Sequence, residues 1–374
     1  MRRLGSYQLS RMIGTGGMAQ VWLARRSRLT EPQEQVAIKL LCAPLVHDAR
    51  YREMFKEEAE LTIQLSHPNI VRVFEVGEES GAQFIVMEWV DGMNLAHLSQ
   101  ILRDTQQKLS IECTNYIIKN LLQALVYIHS LRHPDGREMG LVHRDISPQN
   151  ILIDRAGTIK LVDFGVARLV GKDTSGLHVK GKLRYMAPEQ LHGDTIDQRA
   201  DLYAVGAVMH ELLSGVKFQS VQYRTPSLPD HFPETLRRVQ QSLLNPDPKH
   251  RMESAKMALQ QLGLCDGANR GQEELVAHLA EVCAASESKE QDQMASDRIE
   301  RNSEDSRTVT QTSTYLAERV GNHSKANSLD IAPMPVPRTL ELRWVDRNRY
   351  WIWGGVAVCL FSALIGLAML ASRY

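Results

Sequence analysis

Two acids and an amide stand where phosphate chemistry could be done. In LVHRDISPQNIL (141–152), Asp145 and Asn150 lie five residues apart on a loop, and Asp163-Phe164-Gly165 follows the strand-like ILIDRAGTIKLV. One carboxylate beside a substrate hydroxyl can orient and deprotonate it. An amide and a second carboxylate offer oxygens that can hold a hard cation such as Mg²⁺ against phosphates. Upstream, Val36-Ala37-Ile38-Lys39 sets a lysine inside an apolar strand, with Glu58 nineteen residues further on in a helical pattern. A buried Lys39 needs an anion, and Glu58 is a candidate; a lysine snorkelling from an edge strand is the plainer alternative. Ile13-Gly14-Thr15-Gly16-Gly17-Met18-Ala19-Gln20-Val21 lies between two strand-like runs. Glycines there let backbone N–H groups approach a polyphosphate, and Val21 can lie on a flat base, although glycine pairs also make ordinary hairpin turns. Any one of these features is bland alone. Their joint occurrence, in this order, is not.

Such groups need elements to hold them. Residues 7–90 read mostly as strands (QVWLARR, QVAIKLL, and FIVMEWV after a turn at Glu79-Ser80-Gly81), interrupted by one helix over 49–65. From about 95 to 264 helical patterns dominate, as in TNYIIKNLLQALVYIHSL (114–131) and ADLYAVGAVMHELLSG (200–215). A small β-rich part joined by one short crossing to a larger helical part predicts an α+β, two-lobed architecture. Residues 265–284 add an amphipathic helix, GQEELVAHLAEVCA (271–284). Residues 285–350 are expected to be a disordered linker: 286–330 is rich in Ser, Thr, Glu, Gln, Asn and Asp, and Pro333, Pro335 and Pro337 stiffen its end. RHPDGREMG (132–140) carries a turn-forming Pro-Asp-Gly and reads as a surface hairpin.

Composition narrows the classes. The chain has 374 residues, with Lys+Arg and Asp+Glu both 44, a balance that argues against a nucleic-acid partner. Five scattered cysteines without a CxxC pair favour a reducing compartment over a zinc site. The N-terminus lacks the apolar core of a secretory signal. At the other end, WIWGGVAVCLFSALIGLAMLA (351–371) runs 21 residues without a charge, enough to cross about 30 Å of hydrocarbon as a helix. Trp344, Tyr350, Trp351 and Trp353 stand at its interface, with Arg343, Arg347 and Arg349 on the same side. The expectation is a single-pass protein of the inner (cytoplasmic) membrane, its bulk cytoplasmic, with Ser372-Arg373-Tyr374 beyond. Ser362 and Gly366 have small-xxx-small spacing, a hint of a homodimer.

The motif order resembles a Hanks-type serine/threonine protein kinase of the bacterial kind over about residues 7–264. The resemblance implies a bilobal kinase fold, ATP with Mg²⁺ (or Mn²⁺), and protein substrates. By resemblance Ile13, Gly14, Gly16, Met18 and Val21 form the loop covering ATP, with Ala19 where a third glycine usually stands. Ala37 would line the nucleotide, and Lys39 would hold its α/β-phosphates and pair with Glu58. Met87 resembles the gatekeeper, with Glu88-Trp89-Val90 as the hinge whose backbone meets adenine. Asp145 would be the catalytic base, and Asn150 and Asp163 the metal ligands. Glu189, in Met186-Ala187-Pro188-Glu189, would pair with Arg251, while Asp201 would anchor the catalytic-loop backbone. Arg144 before the base suggests control by phosphorylation, with Thr174 and Ser175 the nearest acceptors.

Two positions depart from the family together. The catalytic-loop lysine is Ser147, and the threonine before the closing motif is Lys182. Hydroxyl and ammonium have traded places. What the transition state needs is a positive charge at the right point, so Lys182 can supply from the activation segment the charge Ser147 lacks. The stretch 214–236 is also shorter than in relatives and lacks room for the usual substrate-docking helix. An active kinase is the leading reading. A nucleotide-binding pseudokinase scaffold is the alternative, motivated by Ser147 and opposed by the presence of Lys39, Glu58, Asp145, Asn150 and Asp163.

Overall fold

Short apolar runs such as VWLA, VAI and FIVM, separated by turns, build the N-terminal part as one antiparallel sheet. The computed structural model describes residues 2–26, 34–164, 183–219, 226–263, 270–282 and 284. Six strands, β1 (Arg2–Leu4), β2 (Tyr7–Thr15), β3 (Ala19–Arg26), β4 (Gln35–Leu41), β5 (Val73–Glu79) and β6 (Ala82–Glu88), lie in the order β1-β2-β3-β4-β6-β5. The β5–β6 turn uses Ser80 and Gly81, both at positive φ, as a two-residue hairpin requires. β4 is interior, with Lys39 opposite Val21 on one side and Ile85 on the other. A lysine there cannot snorkel past a sheet edge, so the edge-strand alternative for Lys39 is set aside. Successive side chains alternate faces: Val36, Ile38 and Leu40 join one apolar cluster, while Leu41 joins another on the face covered by α1 (Ala49–Thr62).

Asp48 caps α1, its carboxylate accepting the Arg50 N–H at 2.9 Å. Met54, Phe55, Glu58, Ala59 and Thr62 are buried at helical spacing, which turns Glu58 toward the same sheet face as Lys39. The helix stops short of 65; Pro68 disfavours helical backbone at the residue before it, and the chain turns into His67-Pro68-Asn69.

The larger part is helical around a small sheet, β7 (Gly92–Asn94), β8 (Ile151–Asp154) and β9 (Ile159–Leu161). The helices are α2 (Leu95–Asp104), α3 (Ile111–His129), α4 (Pro188–His192), α5 (Arg199–Ser214), α6 (Glu234–Leu243), α7 (Ala255–Gly263) and α8 (270–282). Asn94 and Ser110 cap α2 and α3 with their side-chain oxygens. α5 is buried almost all round and serves as the axis of the core. α8 belongs to that core, which takes in Leu275, Leu279 and Val282. Glu274 accepts from the Ser110 N–H at 3.0 Å and from its hydroxyl, and the Gln272 amide donates to Ala156 O at 3.0 Å. Gly271 makes the approach possible: a Cβ there would lie 2.3 Å from the Glu112 carbonyl oxygen. Residues 132–140 form a hairpin, with Arg132 bridged to Glu138. Between Ser214 and Glu234 the described residues contain no helix. Among the described residues no helix is long and apolar enough to cross a membrane; the 285–350 linker and the 351–371 span lie outside them.

Candidate active site

The sheet face that carries Lys39 meets α1 and the segment after β9 at one point. Lys39 Nζ lies 2.6 Å from Glu58 Oε1 and 2.8 Å from Asp163 Oδ1, joining residues 124 apart in sequence. Burial by itself would lower the Lys39 pKa; the carboxylates of Asp163 and Glu58 outweigh it and hold the ammonium above the ordinary lysine range. A permanent, buried cation therefore faces the cleft. Asp163 reaches it from a left-handed backbone (φ 59°), and the next residue, Phe164, is buried with its ring 4.5 Å from that of His143.

The loop carrying Asp145 is held from several sides. Arg144 is also left-handed, at φ 67°, a conformation that strains a residue with a side chain. Buried Asp201, at the start of α5, accepts the N–H groups of His143 and Arg144, each at 2.8 Å, and its Oδ2 lies 2.9 Å from His129 Nε2. The Asp145 N–H donates to His143 Nδ1 at 3.3 Å. The Asn150 amide nitrogen donates to Asp145 O at 2.7 Å and to its carboxylate at 2.9 Å, fixing both side chains in one geometry. These bonds direct the amide nitrogen at Asp145; of the two ends of the Asn150 amide, the oxygen is the one whose chemistry suits a cation.

Above the loop sits an apolar cage. Ala37, Val71, Met87 and Val90 form a cluster with Ile13, Val21, Val73, Trp89, Leu152 and Val162 packed against it. Gly16 N–H closes the turn onto Ala19 O at 2.8 Å, and Gly14 lies opposite Val21. Met18 goes elsewhere: its side chain packs with Leu41, Phe55 and Ala59 beside α1, so only its backbone belongs to the loop. The Glu88 carboxylate accepts from Lys160 Nζ at 2.9 Å, and its N–H donates to the Arg72 carbonyl at 2.8 Å. Farther down, Arg251 grips Glu189 through two bonds of 2.6 and 2.9 Å, both partners buried.

A protein kinase domain model matches residues 7–262. The chain belongs to this family. A probable serine/threonine-protein kinase of Streptomyces coelicolor is 37% identical over 68% of this chain and 39% of its own length. The serine/threonine-protein kinase PrkC of Bacillus subtilis is 34% identical, over 67% of this chain and 39% of its own length. The chain thus spans about two fifths of these curated relatives. Tyrosine-protein kinase MasK of Myxococcus xanthus is also 34% identical, over 57% of this chain and 33% of its own length. Among solved structures, the kinase domain of Mycobacterium tuberculosis PknI aligns with TM-score 0.55 at 26% identity, covering 71% of this chain and 98% of that domain.

Lys39, Glu58 and Asp163 line one cavity with Val71, Val73, Met87 and Val162 of the cage. The Asn150 main-chain carbonyl accepts the Val162 N–H at 3.0 Å, which ties the Asp145–Asn150 pair to the segment that carries Asp163. Leu152 and Val162, the floor of the cage, escaped the sequence reading. Their signal was period-2: Ile151 and Ile153 face the core, so Leu152 must face the opposite side. His129 and Gln190, which brace the catalytic loop, left no signal at all. Ser147 is fully buried, and its hydroxyl has no hydrogen-bond partner among the described residues. Lys182, Thr174 and Ser175 lie outside the described residues.

Proposed function

We propose that this chain is a serine/threonine protein kinase that moves the γ-phosphoryl group of ATP to protein hydroxyls. The observation that carries the reading is the pairing of Lys39 with both Glu58 and Asp163, beside the Asp145–Asn150 pair and beneath one apolar cage. The cage suits a flat purine, and Lys39 is a fixed cation for the α/β-phosphates. Asp145 orients the acceptor hydroxyl and takes its proton as that oxygen bonds to the γ-phosphorus and the bridge to the β-phosphate breaks, leaving ADP. Asn150 and Asp163 would hold Mg²⁺, which when bound neutralises charge on the phosphate oxygens. The donors fit: they are hard oxygens, and the Val162 N–H donates to the Asn150 main-chain carbonyl at 3.0 Å, which sets Asp163 next to Asn150. Mg²⁺ commonly takes one or two protein groups and completes its shell with phosphates and water; Mn²⁺ accepts the same donors.

Three extensions belong to the proposal. Lys182 supplies the charge missing at Ser147, a reading supported by the burial of Ser147 and its lack of a partner. Thr174 and Ser175 are autophosphorylation acceptors. The 351–371 segment anchors the chain in the inner membrane as a dimer, with the kinase domain cytoplasmic; its uncharged length and flanking Trp and Arg residues support this. The deciding experiment incubates the full chain in detergent with labelled ATP and Mg²⁺, beside Asp145→Asn and Lys182→Ala, with phosphosites mapped and phosphoamino acids identified. Transfer that vanishes in Asp145→Asn supports the kinase, and near-normal turnover in Lys182→Ala removes the relocated charge. ATP binding without any transfer would reject the kinase in favour of a scaffold.

A further inference from the structure

We propose that Gln190 is a positioning residue for the catalytic base: it clamps the strained peptide that precedes Asp145. Gln190 lies at the C-terminal end of the activation segment, on the short helix α4, and is half-buried. Its amide oxygen accepts the Ala187 N–H at 3.0 Å, within its own helix turn. Its amide nitrogen donates to the carbonyl of Arg144 at 3.1 Å, across 46 residues of sequence.

The Arg144 carbonyl is a telling target. With φ at 67°, Arg144 turns its carbonyl out of the path an ordinary loop would give it. Its N–H is taken by Asp201 at 2.8 Å, and the following N–H, that of Asp145, by His143 at 3.3 Å. Gln190 therefore completes a set: the peptide joining Arg144 to Asp145 is held at N–H by His143 and at C=O by Gln190. Left-handed backbone at a residue with a side chain persists where its surroundings over-determine it. Asp201 alone fixes the entry to the turn, whereas rotation of the next peptide would swing the Asp145 side chain off the acceptor hydroxyl. The clamp thus links α4 to the loop that carries the base.

The inference rests on the kinase reading for its activity readout, so a second readout stands apart from catalysis. Gln190→Glu keeps an oxygen for the Ala187 N–H but cannot donate to Arg144; Gln190→Met removes both bonds at similar length. In the full chain, kcat with a generic protein acceptor should fall about tenfold in Gln190→Glu, the scale of one net hydrogen bond to a strained group. The KM for ATP should stay within about twofold, because Lys39 and the cage are untouched. Amide hydrogen exchange over 143–146 should quicken in both variants while α5 stays protected. Wild-type kcat and unchanged exchange in Gln190→Glu would overturn the proposal, as would a loss confined to KM for the protein acceptor. If Gln190→Glu failed to fold, Gln190→Met would carry the same two outcomes. A wild-type chain with no transfer would count against the kinase reading alone, and the exchange rates would then decide the clamp.

Discussion

Shaving the core face of α8 should unfold the kinase domain early, although the family match ends before that helix. Leu275 is fully buried and Leu279 nearly so, both within the core that surrounds α5. Leu→Ala at such a site costs about 2–5 kcal/mol, because the lost methyls forfeit their transfer free energy and leave a cavity. In a domain of this size one kcal/mol moves the melting temperature by about 2–4 °C, so Leu275→Ala should melt roughly 10 °C early. A chain ending at 264 loses three buried apolar side chains, worth on the order of 5 kcal/mol. It also loses the Glu274 bonds that hold the α3 cap Ser110. That loss is comparable with the whole stability of an ordinary domain, roughly 5–15 kcal/mol. Thermal unfolding by circular dichroism would compare chains ending at 264 and 284, Leu275→Ala, and the exposed control Glu273→Ala. The control should stay within about 0.5 kcal/mol of the parent. Equal melting of the two chain lengths would refute the reasoning, since a helix that contributes core must be missed when removed.

Other outcomes follow from single contacts. Asp145→Asn should lower kcat about a thousandfold while leaving nucleotide affinity intact, measured by turnover beside titration with a fluorescent nucleotide. Arg251→Met strands the Glu189 carboxylate in the interior and should cost about 3–5 kcal/mol in urea unfolding, much of it recovered by adding Glu189→Leu. Burial pushes the Asp201 carboxyl up, but the hydrogen bond and charge of His129 outweigh it and hold the pKa below its ordinary 3.8. Its stabilisation is therefore complete above that pH and lost as acid carries it through the lower folded value; Asp201→Asn should flatten the acid limb of melting temperature against pH. Lys39, with its pKa raised, stays protonated, so nucleotide affinity should show no Lys39 titration up to about pH 10, whereas an ordinary cleft lysine would begin to discharge there.

What the sequence determined by itself was local. The apolar run QVAIKLL announced a strand with Lys39 inside it, helical patterning put Glu58 on the next helix, and Asp145, Asn150 and Asp163 stood at strand and loop ends. Amphipathic spacing in 271–284 likewise announced a helix. Each signal is carried by residues a few positions apart, and that is where backbone geometry imposes its periods. The tertiary structure decided the rest. Only the order β3-β4-β6 makes β4 an interior strand, and only the packing of the two lobes carries Asp163 to Lys39 across 124 residues. The same holds for Leu152 and Val162 beneath Ala37, for α8 against Glu112, and for the Gln190 amide on the Arg144 carbonyl. Such partners are chosen by which arrangement of whole elements buries the most apolar surface while leaving few buried polar groups without a partner. No short window of sequence contains that comparison.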